Sequence, residues 1–314
     1  MDHSRRRRLG LLAAVLAAAT GLVACGDDDA DEATAAAGTL DGAPAADLRD
    51  PERRGPQGNV AQFVVECELS HLAYDDPIVL PDLPGESHRH QFFGNAAVTA
   101  DPDYHKVAGA DTTCRQSRDT ASYWAPTLMD EMGRVIEPRK LTAYYRPGVG
   151  IDPASVVAYP PDFQMVAGNS ISDELQSTDV VAWSCGRGRL REQTPPDCAG
   201  QSEFADVFGR QDTRTLRMLI TFPDCWDGDR LSSFGSGAHV AYSEDGRCPD
   251  AHAVSIPQLV MAIDYPPVDP GELSLSSGAI ETGHADFWNV WDQEKLEEEV
   301  RLCLNRDLVC GVVG

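Results

Sequence analysis

Turn signals recur about every ten residues from Asn59 onward, and between them lie short, largely apolar runs. The clearest are Val60 to Leu69 (VAQFVVECEL), Leu141 to Arg146 (LTAYYR), Val180 to Cys185 (VVAWSC), Thr215 to Phe222 (TLRMLITF), His239 to Tyr242 (HVAY) and Ile256 to Tyr265 (IPQLVMAIDY). Their β-branched and aromatic content predicts strands. Pairs such as Asp76-Pro77, Pro84-Gly85, Pro147-Gly148 and Asp245-Gly246 predict the turns between them. Only residues 292–304 (DQEKLEEEVRLCL) carry helical spacing, with Leu296, Val300 and Cys303 on one face and Asp292 as N-cap. One terminal helix on many short strands predicts a mainly β fold, an antiparallel β-sandwich or jelly-roll-like single domain with a short C-terminal helix. Neither an internal repeat nor a second domain is legible.

The beginning of the chain departs from that pattern. Arg5 to Arg8 form a basic region, followed by an apolar run from Leu9 to Val23. The run is shorter than the roughly 20 residues a membrane span needs, so it reads as an export signal. Leu22-Val23-Ala24-Cys25 resembles a bacterial lipobox, which implies that Cys25 is lipidated and becomes the new N-terminus; a plain secretory signal is the alternative. Residues 26–58 are Asp, Ala, Gly, Thr and Pro with almost nothing large and apolar, a composition that cannot bury a core. The expected organisation is a lipoprotein signal peptide over 1–24, a lipidated, acidic, flexible tether over 25–58 and a folded β-rich domain over 59–314. The expected location is the bacterial cell envelope, on the extracytoplasmic face of a membrane that the chain holds through its lipid.

Cysteine usage agrees with export. The chain has nine cysteines, and lipidation of Cys25 leaves Cys67, Cys114, Cys185, Cys198, Cys225, Cys248, Cys303 and Cys310. An even number in an oxidising compartment predicts four disulfides. No two of these cysteines have the close spacing of a thiolate metal site. Connectivity does not follow from sequence, although pairing neighbours gives short, closable loops. The net charge of −24 excludes nucleic acid as a partner and attracts cations; solubility explains it equally well.

Histidines supply the candidate chemistry. His88 and His90 stand two apart in GESHRHQFFGN, a spacing that on a strand puts both on one face about 6.6 Å apart. His252 follows Cys248-Pro249, while His284 and Asp286 stand two apart before the terminal helix. Should the fold gather His88, His90, His252, His284 and Asp286, the cluster suits zinc or copper, because neutral imidazoles are their ligands and the thiols are tied up in disulfides. Asp286 would then act as a ligand or orient a histidine. The same cluster also suits acid-base catalysis by His88, His90 or His284, with Tyr145 or Tyr242 as phenolic partner. Arg146, Trp226 and His239 are the candidate substrate-binding residues, Arg146 for an anion and Trp226 for a sugar face. Taken singly, each of these residues is more often structural. Known signatures of zinc proteases, serine hydrolases, phosphate loops and dinucleotide folds are absent.

DPIV at 76–79, HRHQFFGN at 88–95, SYWAPTL at 122–128, FQMVAGN at 163–169, FPDCWDG at 222–228, CPDAHAVSIPQ at 248–258 and HADFWNVW at 284–291 occur in an order that resembles the secreted family catalogued as domain of unknown function nineteen-ninety-six. That resemblance spans about residues 63 to 303 and implies no agreed activity. Members of that family are sometimes joined to modules thought to bind carbohydrate, which implies a setting near cell-wall or extracellular polysaccharide. Three readings follow: an envelope protein binding Cu or Zn, alone or alongside glycan, a polysaccharide lyase or hydrolase, and a structural or interaction module whose histidines only satisfy hydrogen bonds.

Overall fold

A computed structural model describes residues 61–186, 190–198, 215–268 and 271–310. The expected signal peptide, Cys25 and the tether lie outside the described residues. In chain order the first strands are β1 (Gln62–Cys67), β2 (Leu69–Ala73), β3 (His90–Gly94), β4 (Ser122–Pro126), β5 (Leu128–Met129) and β6 (Lys140–Arg146), with a one-turn helix α1 (Tyr104–Val107) between β3 and β4. Then come β7 (Gln164–Gly168), β8 (Val181–Cys185), β9 (Leu216–Thr221), β10 (Cys225–Trp226), β11 (Val240–Ala241) and β12 (Val254–Ser255). The last are β13 (Gln258–Tyr265), β14 (Ser274–Leu275), β15 (His284–Trp288), helix α2 (Gln293–Glu299) and β16 (Val309–Cys310).

Two large sheets carry the fold. One has six strands in the order β16-β1-β6-β13-β9-β8 and the other five in the order β2-β3-β4-β15-β7. Pairing is antiparallel except between β1 and β16. The sheets share the main core, in which Phe63 of β1 stacks on Tyr145 of β6 and Tyr159 packs on Phe287 of β15. Polar groups also cross between the sheets, with the Tyr123 hydroxyl of β4 bonded to that of Tyr145 and Gln91 of β3 donating to Tyr265 of β13. A mainly β sandwich with one short C-terminal helix is what the chain's turn signals, strand-like runs and single helical stretch predict.

The run from Val60 to Leu69, expected as one strand, divides at Glu68: β1 belongs to the six-stranded sheet and β2 to the five-stranded one. Glu68 is therefore where the chain changes layers, and the Cys67–Cys114 disulfide holds the crossing. Three further disulfides join Cys185 to Cys198, Cys225 to Cys248 and Cys303 to Cys310, so each cysteine pairs with its sequence neighbour. Asp292 caps α2 by accepting from the Lys295 amide at 3.2 Å, and the helix ends in a π-turn over Val300–Leu304.

Four strands of the five-stranded sheet were not legible as strands. β3, β4 and β15 are buried at every position, and β7 at three of its five. The four hold a single β-branched residue, Val166, among them, and a second small core covers the sheet's outer face, formed by Ile78, Phe92, Val98, Val107, Trp124, Trp288 and Val290. Loop 74–83 and the segment with α1 supply its outer wall. A strand covered on both faces has no reason to alternate.

Candidate metal centre

Strand register determines which side chains meet. His90 and Phe92 share a face of β3; Phe92 lies opposite Trp124, and Trp124 lies opposite Asp286 on β15. That face is the outer one, where Phe92 and Trp124 stack with centroids 5.4 Å apart. His90 begins β3 and His284 begins β15, so both imidazoles stand at the same end of the sheet. His88 enters from the loop before β3 and is half-buried.

Hydrogen bonds fix two of the three rings. His90 Nδ1 lies 2.9 Å from the Asp75 carbonyl and His284 Nδ1 lies 2.8 Å from the Thr282 carbonyl. A carbonyl only accepts, so in each ring Nδ1 carries the hydrogen and Nε2 presents a lone pair. His284 Nε2 is 3.1 Å from His88 Nε2, and His90 Nε2 has no hydrogen-bond partner although it is wholly buried. Ring centroids are 4.3 Å apart for His88 and His90, 4.9 Å for His88 and His284, and 5.8 Å for His90 and His284.

Two carboxyl groups adjoin the histidines. Asp76, His90 and Asp286 form a second buried group whose ligand atoms lie within 4.8 Å of one another, the same limit that holds for His88, His90 and His284. His90 thus belongs to both. Asp76 Oδ1 accepts from the Ile78 and Val79 amides at 3.1 and 2.9 Å. Both oxygens of Asp286 are buried without a partner. Burial pushes the Asp76 carboxyl up to about 6, and it pushes Asp286 well above the usual carboxylate range, with the charge of Asp76 adding to it. Burial likewise holds the imidazoles neutral: His284 falls to about 4, His90 lies well below its ordinary value, and His88 is lowered less.

Such a set of groups can hold a divalent transition ion. Two nitrogens each 2.0–2.1 Å from a tetrahedral ion stand about 3.3 Å apart, which is close to the separation of His88 and His284. Backbone carbonyls on the far nitrogens are the usual means of aiming metal-binding imidazoles. A buried orphan lone pair on His90 and two orphan oxygens on Asp286 leave unpaired polar groups that a cation would satisfy. Another trio, Cys67, Cys114 and Asp119, is close in space but has its sulfurs in a disulfide.

Other sequence candidates fall elsewhere. His252 does not join the cluster: it sits in the turn Asp250–His252, next to the three-stranded sheet β11-β10-β12, with Nε2 3.3 Å from the Ala238 carbonyl. The Cys225–Cys248 disulfide ties that turn to β10 rather than to β3. Tyr145 is fully buried in the main core, its hydroxyl shared with Tyr123 and the Trp291 indole, on the inner side of the sandwich. The Tyr242 hydroxyl donates to the Thr221 carbonyl at 2.8 Å. Neither phenol stands beside the three imidazoles. Arg146 is bonded to Gln258 Oε1 at 3.1 and 3.3 Å on the six-stranded sheet. Trp226 meets Phe163 edge-on and donates its indole hydrogen to the Arg230 carbonyl, an arrangement of packing. His239 is bonded at both ring nitrogens.

Asp76 is the site residue that sequence reasoning missed. Its signal was present: DPIV opens the family-like order of motifs, and an aspartate before proline commonly bonds the amides that follow. The family model described as Domain of unknown function (DUF1996) matches residues 76–291, a span that begins at Asp76 and contains all five residues of the two groups. No curated protein and no solved structure matches the chain.

Proposed function

Since the chain belongs to the family described as Domain of unknown function (DUF1996), whose description assigns no activity, we propose a function from the site itself: the domain binds a divalent transition ion, zinc or copper, through Nε2 of His88, His90 and His284. Asp286 and Asp76 stand beside the ion and balance its charge. The observation that carries this reading is the pair of carbonyl-fixed tautomers, which leave Nε2 of His90 and His284 bare in a trio of imidazoles whose ligand atoms lie within 4.8 Å of one another. Imidazole nitrogen with adjacent carboxylate suits zinc and copper better than calcium or magnesium, which prefer all-oxygen shells.

His88 is the most exposed of the three ligands, so an exogenous molecule would reach the ion from its side. The protein would work outside the cytoplasm, held by a lipid on Cys25 and the acidic tether; four disulfides support an oxidising compartment. Elemental analysis of the domain, purified without a polyhistidine tag and loaded with zinc or copper, tests the binding. About one ion per chain is expected in the parent, with none in a folded His88→Ala/His90→Ala variant. A folded parent that retains no ion after loading and dialysis would refute the reading.

A further inference from the structure

The loop between β10 and β11, residues 227–239, carries a second constellation that the metal centre does not use. Ser233 Oγ lies 2.8 Å from His239 Nδ1, and His239 Nε2 lies 2.7 Å from the Gln164 carbonyl. The carbonyl can only accept, so Nε2 carries the hydrogen and Nδ1 presents its lone pair to the serine. Ser233 must therefore be the donor. A hydroxyl donating to an imidazole whose far nitrogen is held by a fixed acceptor is the arrangement that activates a serine nucleophile.

Hydrogen bonds brace the loop around the pair. Arg230 bonds Asp227 Oδ2 at 2.7 Å and the Ala238 carbonyl at 2.6 Å, while the Leu231 carbonyl accepts from the Gln164 amide at 2.8 Å. His239 is buried, and its neighbours keep it in place from β7 and from the loop itself. Ser233 is half-buried and remains accessible. The residues around it are apolar and open to solvent: Phe234 is 76% exposed and Leu231 38%. A Cβ on Gly235 would come within 2.8 Å of Val79 Cγ2, which places Val79, itself 44% exposed, against the loop tip.

We propose that Ser233 is a nucleophile with His239 as its general base, and that the loop takes carboxylic esters with an apolar acyl group. Ser233 Oγ bonds to the acyl carbon as its proton passes to His239 Nδ1. The ester C–O bond then breaks, and the departing alcohol takes that proton. Water attacks the acyl-serine in turn, giving its proton to Nδ1, and Ser233 recovers it as the carboxylic acid leaves. Neither an oxidant nor a metal enters the balance, so this activity stands or falls independently of the ion.

The test uses the soluble chain in excess chelator with a fluorophosphonate probe and p-nitrophenyl butyrate. Mass spectrometry is expected to place one phosphonyl group on Ser233. Ester turnover is expected to persist in chelator and to fall at least ~100-fold in Ser233→Ala, the lower end of a positioned base's contribution. Absence of label, label spread evenly over surface serines, or a Ser233→Ala chain that hydrolyses the ester like the parent would overturn the proposal. Label mapping on the parent decides the matter even if the variant fails to fold.

Discussion

His284 shows how burial prepares an imidazole to act as a ligand. Its Nδ1 hydrogen is committed to Thr282, and burial lowers its pKa from 6.5 to about 4. The unfolded chain thus takes up a proton near pH 6.5 that the folded chain refuses until about pH 4, so stability present above pH 6.5 is lost as pH falls through that window. The size is up to about 3 kcal/mol, at 1.36 kcal/mol per unit. Chelated parent protein should lose melting temperature between pH 7 and 4.5 more steeply than His284→Gln; equal slopes would contradict the assignment. Asp76 works in the opposite sense over an overlapping range, because its pKa is raised to about 6, and the comparison with the variant separates the two. Asp286→Asn replaces, at nearly the same shape, a carboxyl whose ionisation burial disfavours in the ion-free protein. At pH 7 it should leave the melting temperature nearly unchanged while weakening ion affinity about 10–100-fold, measured by chelator competition.

At the scale of the element, the centre depends on where strands begin. His90 and His284 meet because β3 and β15 flank β4 and start at the same end. Gly168 of β7 lies opposite His284 with φ +83°, where a Cβ would come 2.4 Å from the Gly283 carbonyl oxygen and 2.8 Å from His284 Cα. Gly168→Ala should destabilise by about 2 kcal/mol or more through strain alone, and it should displace His284, so that ion affinity falls together with stability. Gly85→Ala is the control, because it also has positive φ but meets nothing within 4 Å; its affinity should be unchanged. Sequence legibility also divided at this scale. β6, β8, β9 and β13 showed through their composition and the turns around them. β3, β4 and β15 did not: HQFFG, SYWAP and HADFW hold no β-branched residue, and cover on both faces leaves them no alternation. Their residues were nevertheless singled out as HRHQFFGN, SYWAPTL and HADFWNVW. The convergence of His88, His90 and His284 needed the strand order β3-β4-β15, which joins segments almost 200 residues apart and leaves no local trace.

In the whole molecule the chain passes from one large sheet to the other at Glu68, and the Cys67–Cys114 disulfide holds the crossing. The Cys67–Cys114 bridge has a sequence separation of 47 residues, for which loop-closure entropy gives about 4 kcal/mol. Replacing both cysteines by serine should cost most of that in denaturant unfolding, while the imidazoles, positioned by β3 and β15, should still bind an ion in the fraction that folds. The proposed function requires that three imidazoles share one ion. X-ray absorption on the zinc- or copper-loaded domain tests it most directly. The spectrum should show about three nitrogen ligands at 2.0–2.1 Å with the multiple scattering of imidazole rings and no sulfur. A shell of oxygen alone, with no imidazole scattering, would contradict it.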